Sequence, residues 1–277
     1  MSGNGSPDPH PLDRAVVLGG GGLTGLAWLR GVLDELPDVV GSADRVIGTS
    51  AGAVMAARLL SGVTGGLEDV ADELSGARIS PAVAARLVAA QLWPSRRHAL
   101  LWLGRFARRA RTTVSEQAFV DLVGRAVGGT DWPAALIVVA VDADSGRPAY
   151  FTPRSAVELR SAVAASCAMP GVLPAVRIED RTFLDGGLRS PANADVAAGC
   201  DRVLILAPQG RSTRAVRRPG HQAARLRAAG AQVVLIADEH PDLDAMSPAG
   251  LAAARERGRR AGRAASEAVA ALWAISR

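Results

Sequence analysis

The first sixty residues contain an arrangement that restricts the fold more than any other feature of the chain. Ala15-Val16-Val17-Leu18 is a short apolar run that ends in Gly19-Gly20-Gly21-Gly22. An amphipathic segment follows, with Leu26, Leu29, Val32, Leu33 and Leu36 on one stripe at helical spacing, and it stops at Pro37. Asp44-Arg45-Val46-Ile47 is a second short strand. It leads through Gly48-Thr49-Ser50-Ala51-Gly52 into a helix of small residues that reaches Leu60. The order is therefore strand, glycine turn, helix, and then the same again. Strands that alternate with helices pair in parallel, because the return needs a crossover, so the chain is α/β with a largely parallel sheet.

The remainder extends that pattern. From Gly66 to Val127 the sequence reads as helices broken by Gly76, Pro81 and Pro94. Ala135 to Val141 is a strongly apolar strand. The turn Asp144-Ser145-Gly146-Arg147 and a short return strand, Pro148 to Thr152, follow it. Ser155 to Ala165 is expected to be helical. Val176–Ile178 and Thr182–Leu184 bracket a turn at Glu179-Asp180, which is a hairpin signal. Val203 to Ala207 and Val233 to Ala237 read as buried strands, Arg211 to Arg218 as a solvated loop, and Pro248 to Ala274 as a long helix. No repeat and no domain-scale linker interrupts the chain. Residues 1–13, rich in Gly, Pro and Asp, are expected to be a disordered tail, and 14–277 a single domain.

Composition narrows the setting. Two cysteines, Cys167 and Cys200, do not make a disulfide framework, and a reduced, cytoplasmic setting is the plainer expectation. No apolar h-region opens the chain, and no run of about 18 apolar residues is free of charge, so neither a secretory signal nor a membrane span is expected. All 32 basic residues are arginine and the net charge is +5, which gives a weak attraction to anionic surfaces. No nucleic-acid-binding motif or aromatic-interleaved basic patch is present.

The chemistry centres on Gly48-x-Ser50-x-Gly52. A serine on a sharp turn between strand and helix projects its hydroxyl from the sheet edge, and flanking glycines let the backbone pass neighbouring elements closely. The motif alone is weak, and its position after Val46-Ile47 and before a helix strengthens it. The four upstream glycines can turn several backbone N–H groups toward one point, as an oxyanion requires. Gly20-x-Gly22-x-x-Gly25 is also formally a dinucleotide fingerprint. That reading wants an acidic residue at the end of the second strand, where Gly48-Thr49-Ser50 stands instead. A third element is Asp185-Gly186-Gly187 after Phe183-Leu184. It is either a plain Asp-Gly turn or a strand-end carboxylate placed to activate the serine. As for a base, His10 lies in the tail, His98 in an Arg-rich helix and His221 at a helix start. Ser50, Asp185 and His240 have the chain order of an α/β-hydrolase triad, although His240 reads best as an exposed loop histidine among acids.

A glycine-rich loop, Gly-x-Ser-x-Gly and a distant Asp-Gly-Gly, in that order, resemble the patatin-like phospholipase family. Asp44 to Ala53 resembles the family's nucleophile block, and Ala164-Ala165-Ser166-Cys167-Ala168-Met169-Pro170-Gly171-Val172-Leu173-Pro174 the segment before its Asp-Gly-Gly. The resemblance covers roughly 14–207. It implies a three-layer α/β/α fold with a mainly parallel central sheet, and a lipid acyl hydrolase that cleaves fatty acyl esters with a Ser–Asp dyad and no catalytic histidine. It further implies Ser50 as nucleophile, Asp185 as its partner, and Gly19, Gly20, Gly21 and Gly22 as the oxyanion hole. Gly25, Gly48, Gly52, Gly186 and Gly187 would be supporting glycines. No His/Cys/Asp cluster has metal-ligand spacing, so no metal is expected, and no cofactor. The family's loop commonly carries Arg or Lys where Gly20-Gly21-Gly22-Leu23-Thr24-Gly25 has Thr24, so an inactive scaffold stands beside the nucleotide-binding module as an alternative.

Within 96–111, Ala99, Trp102, Leu103, Phe106 and Ala110 fall on one helical face, and Arg97, Arg105, Arg108, Arg109 and Arg111 on the other. Two readings follow: peripheral contact with an anionic membrane, or a lid helix packed on the core, which is the plainer of the two. Cys167 has small apolar neighbours and reads as an inert buried thiol.

Overall fold

The computed structural model describes residues 14–63, 72–74, 76–210, 215–242 and 244–274. The tail 1–13 with His10, the start of the 66–127 helical stretch and part of the 211–218 loop lie outside the described residues. The expected opening is present: β1 (Arg14–Leu18), α1 (Gly22–Asp34), β2 (Arg45–Thr49) and α2 (Ala51–Leu60). Then come α3 (Pro81–Leu92), α4 (Arg96–Ala107) and α5 (Glu116–Val127). Pro81 does not break a helix but opens one. It occupies the first turn, where no N–H bond is lost, and Ser80 caps it by accepting from the Val83 N–H.

β3 (Leu136–Asp142) and β4 (Pro148–Phe151) form the expected antiparallel pair, as do β5 (Val176–Ile178) and β6 (Arg181–Asp185). The helix expected from Ser155 starts later, as α6 (Leu159–Cys167). Pro153–Ser155 is one 3-10 turn, and Ala156 at φ +52 ends it. β7 (Arg202–Ala207) and β8 (Gln232–Ala237) flank α7 (Pro219–Ala228), and α8 (Leu251–Ala274) closes the described chain. Every residue of β7 is buried. β8 is mostly half-buried rather than fully so, because it is the edge strand.

The strands hydrogen-bond in the order β5-β6-β3-β2-β1-β7-β8, with β4 also on β3. β1, β2, β3, β7 and β8 are mutually parallel. Alternate residues of each central strand face opposite layers. Val16, Leu18, Val46, Val138 and Leu204 meet α1, α2, α5, α6 and α8 on one face. Ala15, Val17, Ile47, Val203 and Ile205 meet α7 and the Ala192–Ala197 segment on the other. The fold is thus α/β/α, thick on one side and thin on the other.

α1 and α8 cross at backbone contact. A Cβ on Gly31 would stand 2.0 Å from the Arg255 carbonyl oxygen, and one on Gly258 would stand 2.1 Å from that of Trp28. Neither atom can give way without moving a helix. Gly258→Val is therefore expected to cost about 3 kcal/mol or more, the upper range for overpacking, read as a lower urea midpoint at unchanged slope.

Candidate active site

Ser50 occupies the turn between β2 and α2 with φ +52 and ψ −122. A non-glycine residue at positive φ is strained, and it persists only where the surroundings over-determine it. Here the surroundings are two glycines in backbone contact. A Cβ on Gly48 would lie 2.5 Å from Ala53 Cα, and one on Gly52 would lie 1.9 Å from the Leu18 carbonyl oxygen. The turn is thus pressed between its own helix and β1. Ser50 is the N-cap residue of α2 but makes no side-chain cap bond, and the first N–H groups of the helix, which have no partner within it, point toward the turn.

Asp185 arrives from the opposite direction. Val138 and Val139 of β3 pair with β2 and with β4, while Ala140 and Val141 pair with β4 and with β6. A strand has two edges, so β2 and β6 lie end to end along one edge of β3. Thr49, last in β2, pairs with Val139, and Asp185, last in β6, pairs with Ala140. Two chains leaving the sheet at successive positions bring their next side chains together. The Ser50 hydroxyl donates to Asp185 Oδ2 at 2.8 Å. The other carboxylate oxygen accepts from the Gly187 N–H at 2.7 Å. Gly186 fits because a Cβ there would stand 2.1 Å from the Val139 carbonyl oxygen.

Two buried polar side chains hold this junction, and nothing in their residue type marks them. The Ser166 hydroxyl donates to the Val139 carbonyl at 2.6 Å and accepts the Ser50 N–H at 2.8 Å, so it ties the turn to β3. Asn193 Nδ2 donates to Thr49 Oγ1 at 3.0 Å and to the Gly186 carbonyl at 3.2 Å, joining the ends of β2 and β6. Asn193 sits at φ +56, a region asparagine tolerates better than most residues. Its signal in the sequence is no more than a lone Asn eight residues after Asp185.

The glycine loop is where the structure departs from expectation. Gly19 donates its N–H to the Leu206 carbonyl at 2.9 Å, and Gly20 donates to the Pro191 carbonyl at 2.8 Å. Both donors are spent on anchoring the loop, so Gly19 and Gly20 are not oxyanion donors in this conformation. Gly21, the N-cap of α1, and Gly22, at φ +62, carry the remaining amides. The Gly25 N–H closes back on the Gly21 carbonyl at 2.8 Å. Thr24 is buried, and its N–H donates to the Ala245 carbonyl at 3.1 Å. Backbone bonds therefore fix the loop without a basic side chain at position 24.

A cavity of about 380 Å³ opens over Ser50 and Asp185, within the usual size of a ligand pocket. Gly20, Gly21 and Gly22 rim it, and Leu26, Val54, Leu87, Phe119 and Leu173 give it an apolar wall. Cys167 also lines it. Burial first, and then the Asp185 charge, push its thiol up, which keeps it protonated. His98, His221 and His240 are exposed and none lines the cavity. Among the described residues no three His, Cys, Asp or Glu side chains cluster as a metal site would need.

The apolar face expected on 96–111 is packed inward. α4 ends at Ala107, and Ala99, Leu100, Leu103 and Ala107 are buried against Val141 and Leu184. No helix among the described residues is long and apolar enough to cross a membrane.

The family model of the patatin-like phospholipases matches residues 16–198, a span that contains Ser50, Asp185 and Asn193. No curated protein matches the chain. Two solved structures are similar at a distance. The type III effector protein ExoU aligns with 94% of this chain and 54% of its own, at 18% identity and a TM-score of 0.39. VipD from Legionella pneumophila aligns with 93% of this chain and 67% of its own, at 12% identity and a TM-score of 0.45. The chain thus spans about half the length of the first and two thirds of the second.

Burial raises the Asp185 carboxyl from its ordinary range to about 6, and the bonds from Ser50 and from the Gly187 N–H hold it back in part. The folded state therefore binds this proton more tightly than the unfolded chain does. The associated stability is complete below the unfolded carboxyl's pKa and is lost as pH rises through about 6. Asp185→Asn should remove that cost. The variant is expected to exceed the wild type by up to about 3 kcal/mol in urea melts at about pH 8, and to converge with it near about pH 4.

Proposed function

Because this chain belongs to the patatin-like phospholipase family, we propose that it is a serine acyl hydrolase that cleaves fatty acyl esters of lipids with Ser50 and Asp185 alone. The family supports lipid hydrolysis, and the observation that carries the dyad is the buried hydroxyl–carboxylate bond of 2.8 Å facing an apolar cavity. Asp185 accepts the Ser50 hydroxyl proton as Oγ attacks the ester carbonyl carbon. The carbonyl oxygen takes up the negative charge beside the Gly21 and Gly22 amides. The tetrahedral adduct expels the alkoxide, which takes the proton from Asp185 and leaves as alcohol. Water then gives a proton to Asp185 and attacks the acyl-serine, and the fatty acid departs as Ser50 recovers its proton.

A pKa near 6 suits this cycle. At neutral pH the carboxylate is mostly ionised and ready as a base, and it is still a better proton acceptor than an exposed aspartate. Neither alternative accounts for as much. A dinucleotide's phosphates would meet an apolar wall and the Asp185 carboxylate beside the glycine loop. An inert scaffold gives no reason to keep a strained serine bonded to a buried acid.

The test uses a soluble p-nitrophenyl ester and a fluorophosphonate probe. The wild type should hydrolyse the ester and be labelled at Ser50. Ser50→Ala and Asp185→Ala should each lose at least about 10⁴-fold in kcat, while His240→Ala stays active. An unlabelled, folded wild type would sink the hydrolase reading, and an inactive His240→Ala would replace the dyad with a triad. In the wild type, kcat/KM should rise with pH through about 6 and then level off, since only the ionised Asp185 accepts the proton.

A further inference from the structure

From 74 to 115 the chain holds eight arginines and not one Asp or Glu. Without those eight, the rest of the chain is net acidic. The segment comprises α3, α4 and their flanks, and it leaves a group of large apolar side chains in water at the α3 C-terminus. Leu92 is 69% exposed, Val88 53% and Trp93 39%. Val88 and Leu92, four residues apart, share a face of α3. The opposite face is committed: Val83 and Ala90 are buried, and Leu87, Ala90 and Gln91 line the cavity over Ser50. The tip is also held in place. The Trp93 ring stacks on Trp102 with centroids 5.8 Å apart, and Ser95 caps α4.

Arginines stand along the rest of the hairpin. Arg86, Arg97, Arg105, Arg108, Arg109 and Arg111 are exposed. Arg108 pairs with Asp144, whereas among the described residues Arg105, Arg109 and Arg111 have no acidic partner. An exposed apolar cluster on a segment whose only charges are positive matches a surface with an apolar interior and an anionic face. Such a surface must also stand close to the cavity entrance if it supplies the ester, and Gln91 and Arg96, on either side of Leu92 and Trp93, line that cavity.

We propose that the α3–α4 hairpin docks this protein on anionic phospholipid membranes, with Val88, Leu92 and Trp93 entering the interface and the flanking arginines meeting the lipid phosphates. The face presented is the α3 tip, not the apolar face of α4, which is spent on the core. Docking here sets the cavity mouth on the lipid surface, so an ester passes to Ser50 without crossing water. In its functional consequence this rests on the lipid-hydrolase reading; as a binding property it stands alone.

The experiment is co-sedimentation of the full chain with phosphatidylglycerol/phosphatidylcholine vesicles and with phosphatidylcholine vesicles at low salt. Hydrolysis of p-nitrophenyl butyrate and thermal melts are read in parallel. The wild type is expected to pellet with the anionic vesicles and to be released by salt. Leu92→Ser/Trp93→Ser should weaken binding at least about tenfold, and Arg105→Gln/Arg109→Gln roughly fivefold for each arginine. Melts and soluble-ester hydrolysis should not change in either variant. Three results would overturn the proposal: a wild type that stays in solution, variants that pellet like the wild type, or a wild-type dimer that Leu92→Ser/Trp93→Ser splits, which would make a second copy the occupant. If binding follows the variants while the wild type never hydrolyses the soluble ester, docking stands and the hydrolase reading falls.

Discussion

The hydrogen bond from the Ser50 hydroxyl to Asp185 exists because two strands end against each other on the edge of a third. β2 runs with β3 and stops at Val139, and β6 runs against β3 and stops at Ala140. Most parallel sheets keep one direction across their width. Here the direction changes along one edge of one strand, and the change leaves a gap into which both chains turn. The Ser50–Asp185 geometry is therefore a property of the sheet register rather than of the two motifs separately. A slip of one residue in β6 would turn Asp185 to the opposite face of the sheet and part it from Ser50.

A junction of this kind concentrates backbone polar groups where no ladder continues, and each of them needs a partner. Ser166 takes the Ser50 N–H, and Asn193 takes the Gly186 carbonyl. The Asp185 N–H goes to the Ala168 carbonyl at 3.0 Å. Once these are satisfied, the Ser50 side chain is free to bond Asp185, and its backbone N–H is committed elsewhere. The same accounting applies to the glycine loop. Its first two amides anchor it to Leu206 and Pro191, which leaves those of Gly21 and Gly22 beside the cavity.

The parts that were legible in the sequence were those with short-range signals. The alternation of apolar runs with glycine turns exposes the parallel sheet, because burial on both faces demands unbroken Val, Ile and Leu. Ser50 was legible through its flanking glycines, which are needed where the backbone comes within contact distance of Leu18 and Ala53. Asp185 was ambiguous from its own motif, since Asp-Gly is a common turn, and only the resemblance lifted it. Asn193 and Ser166 were not legible. Their work depends on how β2, β3 and β6 pair, strands far apart in the chain, and nothing local marks it. The division of labour among Gly19 to Gly22 was hidden for the same reason: Leu206 and Pro191 lie far along the chain.

The 96–111 stretch shows how a correct pattern leaves two readings open, of which the structure bears out the plainer, a helix packed on the core. Its amphipathicity is real, and its apolar face is buried, because a helix beside β3 and β6 has a core to cover. A helical stripe records that one side is dry, but not what dries it. The informative residues are those that break the stripe: Val88 and Leu92 sit on the face of α3 that the core does not need. Exposing two such side chains and a tryptophan forfeits burial energy that a purely structural hairpin would keep. Placing them among arginines beside a cavity that ends at Ser50 gives that sacrifice a purpose. In the docking proposed for this hairpin, the apolar surface is left bare where an anionic bilayer can cover it.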